Sequence, residues 1–235
     1  MAYSDMCFMD DDALLAEIVS YARLKPTDVV LEVGAGAGNL TAHIAANARV
    51  VALEKDALLF SRLKQRFGCD DRVEPVQADF LKAILPSFNK VVSNIPYSIS
   101  RDLIENIIIA GFEVAVLVVQ KEFAYKLAAS PGFENYRMLS VLAQSSCDVE
   151  VLKEIPASAF RPKPRVSSAV VRLTMKRKFG KEYIVFLNRL FSQKNKKVRN
   201  IFNGVPEEYA DLKPKEMGVP QFINLYDQIG IEVKG

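Results

Sequence analysis

The sequence of 235 residues is poor in the side chains that most often carry metal or acid–base chemistry. It has one histidine, His43, and three cysteines, Cys7, Cys69 and Cys147, far apart and without a C-x-x-C pair. Cysteines so scattered give neither a disulfide framework nor zinc-ligand spacing, so they read as free thiols and no metal is expected. His43 falls in the helical pattern GNLTAHIAANA, where an imidazole is far more often a half-exposed helix residue than a catalytic group. Mechanisms built on a histidine base are thereby set aside. Long apolar runs are also missing: none reaches the roughly 18 residues needed to cross a bilayer, and the opening MAYSDMCFMDDD has no basic segment leading into an apolar one. A cytosolic protein with no membrane contact is expected.

Charge of one sign is scarce in one region. Net charge is +3, and residues 1–173 hold 19 Lys and Arg against 21 Asp and Glu, whereas residues 174–235 hold 12 against 7. From Arg161 to Arg199 there are 13 basic residues and one acid, Glu182. A solvated helix face mixes both signs, so this imbalance points to a polyanionic partner without distinguishing RNA from DNA.

Half of the residues are apolar, enough to bury one full core and leave sequence for a small second domain. Short β-branched runs occur at 28–33, 49–54, 72–79, 90–94 and 112–119, with helical patterns near 38–47, 56–67 and 99–110 between them. That alternation predicts a parallel, doubly wound α/β sheet. Asp10-Asp11-Asp12 before ALLAEIVSYA predicts a capped opening helix. Helices over QKEFAYKLAAS and near 136–146, then strands at 147–154 and 166–173, finish a seven-stranded sheet. Composition shifts near 174, and the remainder has helical spacing without strand alternation, so the domains are expected at 1–174 and 175–235, the second small and all-helical.

Glu32-Val33-Gly34-Ala35-Gly36-Ala37-Gly38 follows the first strand and opens a helix. Glycines there let the chain turn sharply and let a ligand approach main-chain N–H groups. The spacing differs from the dinucleotide G-x-G-x-x-G, since the third glycine, Gly38, comes one residue early. It resembles instead the E-x-G-x-G-x-G loop of class I methyltransferases, which backs the amino-acid portion of S-adenosylmethionine. Glu54, with Lys55 beside it, ends the second strand, where a carboxylate can accept from both ribose hydroxyls. Asp79 and Phe80 follow the third strand, placed to meet the cofactor's adenine through its amino group and ring.

Asn94-Ile95-Pro96-Tyr97 follows the fourth strand and resembles the [Asn/Asp/Ser]-Pro-Pro-Tyr motif of amino-group methyltransferases, in the variant of RNA adenine N6-methyltransferases. An adenine amino nitrogen is a poor nucleophile because its lone pair is delocalised into the ring. Acceptors for both of its hydrogens, the Asn94 side-chain oxygen and the carbonyl of Ile95 or Pro96, would push it towards tetrahedral geometry. Pro96 fixes the backbone, and Tyr97 can stack on the extruded base.

The stretch from Phe160 to Leu173 is similar to the F-x-P-x-P-x-V-x-S-x-V-x-x-L segment shared by small-subunit ribosomal RNA adenine dimethyltransferases and erythromycin-resistance methyltransferases. The resemblance implies Phe160 as the second face of an aromatic clamp opposite Tyr97, with Arg161, Lys163 and Arg165 meeting phosphate. The segment from Phe191 to Asn200, with Lys194, Lys196, Lys197 and Arg199 as further RNA contacts, resembles the opening of the ribosomal enzymes' helical domain. Their usual G-Q-[N/C/H]-F-L cofactor motif survives as Cys7-Phe8-Met9, which implies cofactor contacts from Cys7 and Met9; Met6 stands where glutamine is expected. The whole pattern implies a Rossmann-like class I methyltransferase sheet with a small C-terminal all-helical domain. It implies a monomer that uses S-adenosylmethionine to dimethylate two adjacent adenosines in the 3′-terminal hairpin loop of small-subunit ribosomal RNA, within a pre-ribosomal particle. An erythromycin-resistance activity on large-subunit RNA, and a non-catalytic assembly or transcription factor of the same fold, are the alternatives.

Overall fold

The structure, a computed structural model, describes residues 7–229; Met6, at the expected glutamine position, lies outside them. The acidic triplet does start a helix. Asp11 accepts a hydrogen bond from the Leu14 N–H at 3.0 Å and caps α1 (Asp12–Ser20). There follow β1 (Val29–Val33), α2 (Asn39–Ala45), β2 (Arg49–Glu54), α3 (Ala57–Phe67), β3 (Val73–Gln77), β4 (Lys90–Asn94), α4 (Ser100–Ala110) and β5 (Val114–Gln120). Then α5 (Lys121–Leu127) and α6 (Met138–Ser146) lead into the hairpin of β6 (Cys147–Ile155) and β7 (Ser168–Met175), and α7 (Lys181–Ser192), α8 (Glu207–Ala210) and α9 (Val219–Ile229) complete the described chain. No helix among the described residues is long and apolar enough to cross a membrane.

The strand order is β3-β2-β1-β4-β5-β7-β6, with the first five strands parallel and β7 antiparallel to both neighbours. The β-branched runs of β1, β2, β4 and β5 are continuous because both faces of these inner strands are buried. Along β5, Leu117 and Val119 point into one core cluster and Val116 and Val118 into the other, the period of two that a strand imposes. The chain winds outward from β1 to β3, then returns to β4 on β1's other side. That reversal opens a crevice at the carboxyl ends of β1 and β4, where open α/β sheets bind ligands. The two motifs singled out in the sequence begin at those two ends.

The C-terminal helices form as their spacing predicts, and the aromatic residues that pack among them are continuous with the core of the sheet. Tyr183, Phe186, Leu187, Phe222 and Leu225 belong to the same cluster as Leu31 and Leu117 of the sheet, and α6 packs against both α7 and α9. The buried Tyr183 hydroxyl lies 2.8 Å from that of Ser145 on α6, and its ring stacks on Phe179 at 4.0 Å. Helical spacing identifies an apolar face and is silent about what covers it; here the cover is the catalytic layer, and residues 175–229 form an added helical layer on it.

Candidate functional site

Each glycine of the loop after β1 has its own reason. Gly34, Gly36 and Gly38 all have positive φ, at 75°, 59° and 88°. A Cβ would lie 3.2 Å from the Pro96 ring at Gly34, 2.9 Å from the Phe8 ring at Gly36 and 2.4 Å from the Phe67 ring at Gly38. So Gly34 lets the loop touch the tetrapeptide after β4, Gly36 seats the N-terminal segment, and Gly38 lets α3 close on the start of α2. The Gly34 and Ala35 N–H groups both donate to the Leu53 carbonyl, and the Gly36 N–H donates to Glu54 Oε2 at 2.8 Å.

Glu54 is buried, and its Oε1 accepts from the Asp56 N–H at 2.7 Å. Each carboxylate oxygen keeps a further lone pair, so the acid is held rigidly beside the loop and can still accept from a diol. Asp79 comes to the same rim: Oδ2 accepts from Lys55 Nζ at 2.7 Å and Oδ1 from the Leu81 N–H at 3.2 Å. The Lys55 bond is the main reason its pKa lies below the ordinary carboxylate value.

Glu32 is placed differently from its expected role as a cofactor contact. Its carboxyl is buried beneath the loop and accepts from the Thr41 hydroxyl at 2.6 Å. Burial, with the Glu54 charge adding, pushes its pKa up to about 8, so it is neutral at pH 7 and ties β1 to α2. The Phe80 ring is likewise turned from the rim into the core, 5 % exposed in the cluster with Val33, Leu53 and Ile95. The turn after β3 decides which way that ring faces, and the sequence of the turn does not reveal it.

At the end of β4 the Asn94 side-chain N–H₂ donates to the Cys7 carbonyl at 2.9 Å. A carbonyl only accepts, so this bond settles which way round the amide lies and leaves Oδ1 as the accepting end of the side chain. Ile95 is buried in the core and its N–H donates to Val118. The Pro96 carbonyl accepts from the Ile99 N–H at 3.1 Å, closing a 3₁₀ turn over Tyr97–Ile99. Of the two carbonyls considered from the sequence, Pro96's already accepts one hydrogen bond, from the turn. Tyr97 is half-buried, and its hydroxyl shares a hydrogen bond with the Ser168 hydroxyl at 2.6 Å. Burial raises its pKa.

The segment Cys7-Phe8-Met9 reaches the site, chiefly through its main chain. Phe8 exchanges two hydrogen bonds with Arg161, at 2.9 and 2.8 Å, and the Met9 carbonyl accepts from Asn39 Nδ2 at 3.0 Å. Met9 itself is buried, so its side chain packs in the core rather than lining the crevice. Phe160 is a correction as well: it is 2 % exposed and packs with Met9, Val118 and Val170, so it presents no open aromatic face opposite Tyr97. The bridge between Phe8 and Arg161 draws this segment inward and covers the ring. Phe8, Thr41 and Ser168 are the site residues that sequence reasoning missed; for Ser168 the signal was its place in the F-x-P-x-P-x-V-x-S pattern.

The basic stretch is less bare than its sequence. Arg172 pairs with Glu150, Lys176 with Asp148 and Arg177 with Asp227, while Lys197 and Arg199 share Asp211 at 2.9 and 2.7 Å. Lys196 Nζ donates to Gln193 Oε1 and the Lys194 carbonyl accepts from the Lys215 N–H. Arg161 is exposed, 3.8 Å from Asp10. Lys163 and Arg165 are exposed and make no ion pair among the described residues.

Comparison with known proteins fits this geometry. The family model described as ribosomal RNA adenine dimethylase matches residues 5–224. A probable ribosomal RNA small subunit methyltransferase A of Methanosarcina mazei is 38% identical, over 91% of this chain and 89% of its own. Among solved structures, a dimethyladenosine transferase from Plasmodium falciparum is 26% identical and superposes with a TM-score of 0.83 over 96% of this chain and 98% of its own. The 23S rRNA methyltransferase ErmE is 25% identical, with a TM-score of 0.73 over 94% and 98%. With a class I methyltransferase sheet, a glycine loop against Glu54 and Asn94 at the end of β4, the chain belongs to the ribosomal RNA adenine dimethylase family.

Proposed function

We propose that this protein transfers methyl groups from S-adenosylmethionine to the N6 nitrogens of two adjacent adenosines in the 3′-terminal hairpin loop of small-subunit ribosomal RNA, within a pre-ribosomal particle in the cytoplasm. The single observation that carries the reading is the Asn94 amide at the end of β4, whose N–H₂ is engaged by the Cys7 carbonyl; in this reading Oδ1 is thereby left to accept from the substrate. A target with no N–H to donate there would have no use for that orientation.

The residues at the crevice fit the cofactor. The glycine loop is held tight against Pro96, Phe8 and Phe67, Glu54 is fixed against Gly36, and Asp79 is paired with Lys55 after the neighbouring strand. In this reading Glu54 accepts from the ribose hydroxyls and Asp79 from the adenine amino group, while the backbone around Gly34 and Gly36 borders the amino-acid portion. When bound, the cofactor supplies an electrophilic methyl group on a sulfonium. The chain's work is done on the other reactant. In the first transfer Asn94 Oδ1 and the Ile95 carbonyl accept the two N6 hydrogens, in the second one of them accepts the single hydrogen that remains, and each time the nitrogen's lone pair is held towards the methyl group. Tyr97 lies against the base once it has left its stack. Pro96 packs on Gly34, so the nucleophile's acceptors and the cofactor's loop are held in one rigid unit. No histidine base is needed, because the amino nitrogen attacks before it loses its proton.

Lys163 and Arg165, with Arg161, are placed to take phosphates next to the site. Lys194, Lys196, Lys197 and Arg199 extend that surface, the last two exchanging Asp211 for phosphate oxygen when RNA binds. The test is Asn94→Ala. Turnover should fall by roughly 10²-fold or more, the usual cost of removing one aimed hydrogen-bond partner from a transition state, while calorimetry still detects cofactor binding through the intact loop and Glu54. Normal turnover in this variant would show that the acceptor has been misplaced.

A further inference from the structure

We infer that Ser168 is a positioning residue for the reaction: it holds Tyr97 by the hydroxyl and so sets the plane on which the target base stacks. This rests on the proposed adenine methylation. Ser168 is the first residue of β7 and is fully buried, paired to Gln120 of β5 on one side and Ile155 of β6 on the other. The positions after it are Ala169, Val170 and Val171, all fully buried. Packing alone would be served by alanine here. Burying a hydroxyl in an apolar row costs free energy that a hydrogen bond offsets, and the side-chain bond that Ser168 makes is to Tyr97, at 2.6 Å.

The geometry gives that bond a use. Tyr97 opens a one-turn 3₁₀ segment right after Pro96, so the Asn94 end of the tetrapeptide is fixed by Cys7 and the Tyr97 end by Ser168, 87 and 71 residues away in sequence. An aromatic ring held at its hydroxyl loses rotation about χ1 and χ2 before the base arrives. The entropy of ordering it is then not charged to base capture. Ser168 also follows directly on the segment that carries Arg161, Lys163 and Arg165, so the ring's anchor and the proposed phosphate contacts are neighbours in sequence.

The experiment is a double-mutant cycle with Ser168→Ala, Tyr97→Phe and the double variant, plus Ser168→Thr, assayed for methyl transfer to purified small ribosomal subunits. Ser168→Ala should lower kcat about five- to tenfold, the worth of one hydrogen bond. KM for the subunit and cofactor affinity should stay within about twofold, since neither phosphates nor glycine loop are touched. Tyr97→Phe, which removes the same bond, should make Ser168→Ala silent in the double variant, and Ser168→Thr should recover most of the lost rate. Additive losses, wild-type activity in Ser168→Ala, or a loss confined to cofactor affinity would each overturn the assignment. If the wild type methylates a different RNA, the functional reading fails and the cycle is read on that RNA with the same expected outcomes. No methylation of any RNA overturns both.

Discussion

Replacing Glu32 with glutamine should stabilise the protein, by an amount that grows with pH. The carboxyl is buried beneath the glycine loop, and its pKa rises from the ordinary 4.5 to about 8, first through burial and then through the nearby Glu54 charge. As pH climbs between those values, the unfolded chain gives up the Glu32 proton while the folded protein keeps it. Folding is then opposed by proton uptake, and stability falls with rising pH until the folded group itself ionises near 8. At 1.36 kcal/mol per unit, this cost is about 1 kcal/mol at pH 5 and about 3 kcal/mol at pH 7. Glutamine keeps an oxygen for the Thr41 hydroxyl and has no proton to lose. Urea unfolding of wild type and Glu32→Gln at the two pH values removes the contributions of every other titrating group in the difference. The variant's advantage should be about 2 kcal/mol larger at pH 7 than at pH 5. An advantage that does not change with pH would mean that Glu32 is ionised in the fold, and the reasoning about its burial would be wrong.

Two further outcomes follow from the geometry. Gly38→Ala forces a left-handed alanine whose Cβ lies 2.4 Å from Phe67; the strain and overpacking together cost about 2–4 kcal/mol, a fall in Tm of roughly 5–15 °C by scanning fluorimetry. An unchanged Tm would refute the close approach of α3. Lys163→Ala with Arg165→Ala should flatten the slope of log affinity against log salt for ribosomal RNA by roughly 1.4–1.8, as two phosphate contacts disappear; an unaltered slope would take both residues off the RNA path.

The inner strands were legible because both faces of the sheet are buried there, so β1, β2, β4 and β5 show as apolar runs, while the edge strands β3 and β6 carry charged residues between apolar ones. The carboxyl ends of β1 and β4 could be paired on paper from the motifs that follow them. What the sequence hid lies in contacts across long stretches of chain. The amide orientation of Asn94 depends on a carbonyl 87 residues away. The charge of Lys197 and Arg199 is offset by Asp211, an acid beyond the stretch that looked uniformly basic. Phe80 and Phe160 read as exposed partners of ligands because aromatic residues near a site do either job; the facing of one turn and one bridged segment put both in the core. The C-terminal helices showed an amphipathic pattern, and only α6 reveals that their apolar faces cover the catalytic layer.

The central claim is that a neutral adenine amino group is methylated at the crevice between Gly34 and Asn94, in the RNA of the small subunit. The direct test is to incubate the protein with labelled S-adenosylmethionine and small ribosomal subunits from cells that lack it, then digest the RNA and identify the nucleosides by mass spectrometry. The account predicts labelled N6,N6-dimethyladenosine from two neighbouring positions in the 3′-terminal hairpin, formed roughly 10²-fold or more slowly when Asn94→Ala replaces the wild type. Label confined to large-subunit RNA, or on any atom other than N6, would contradict it.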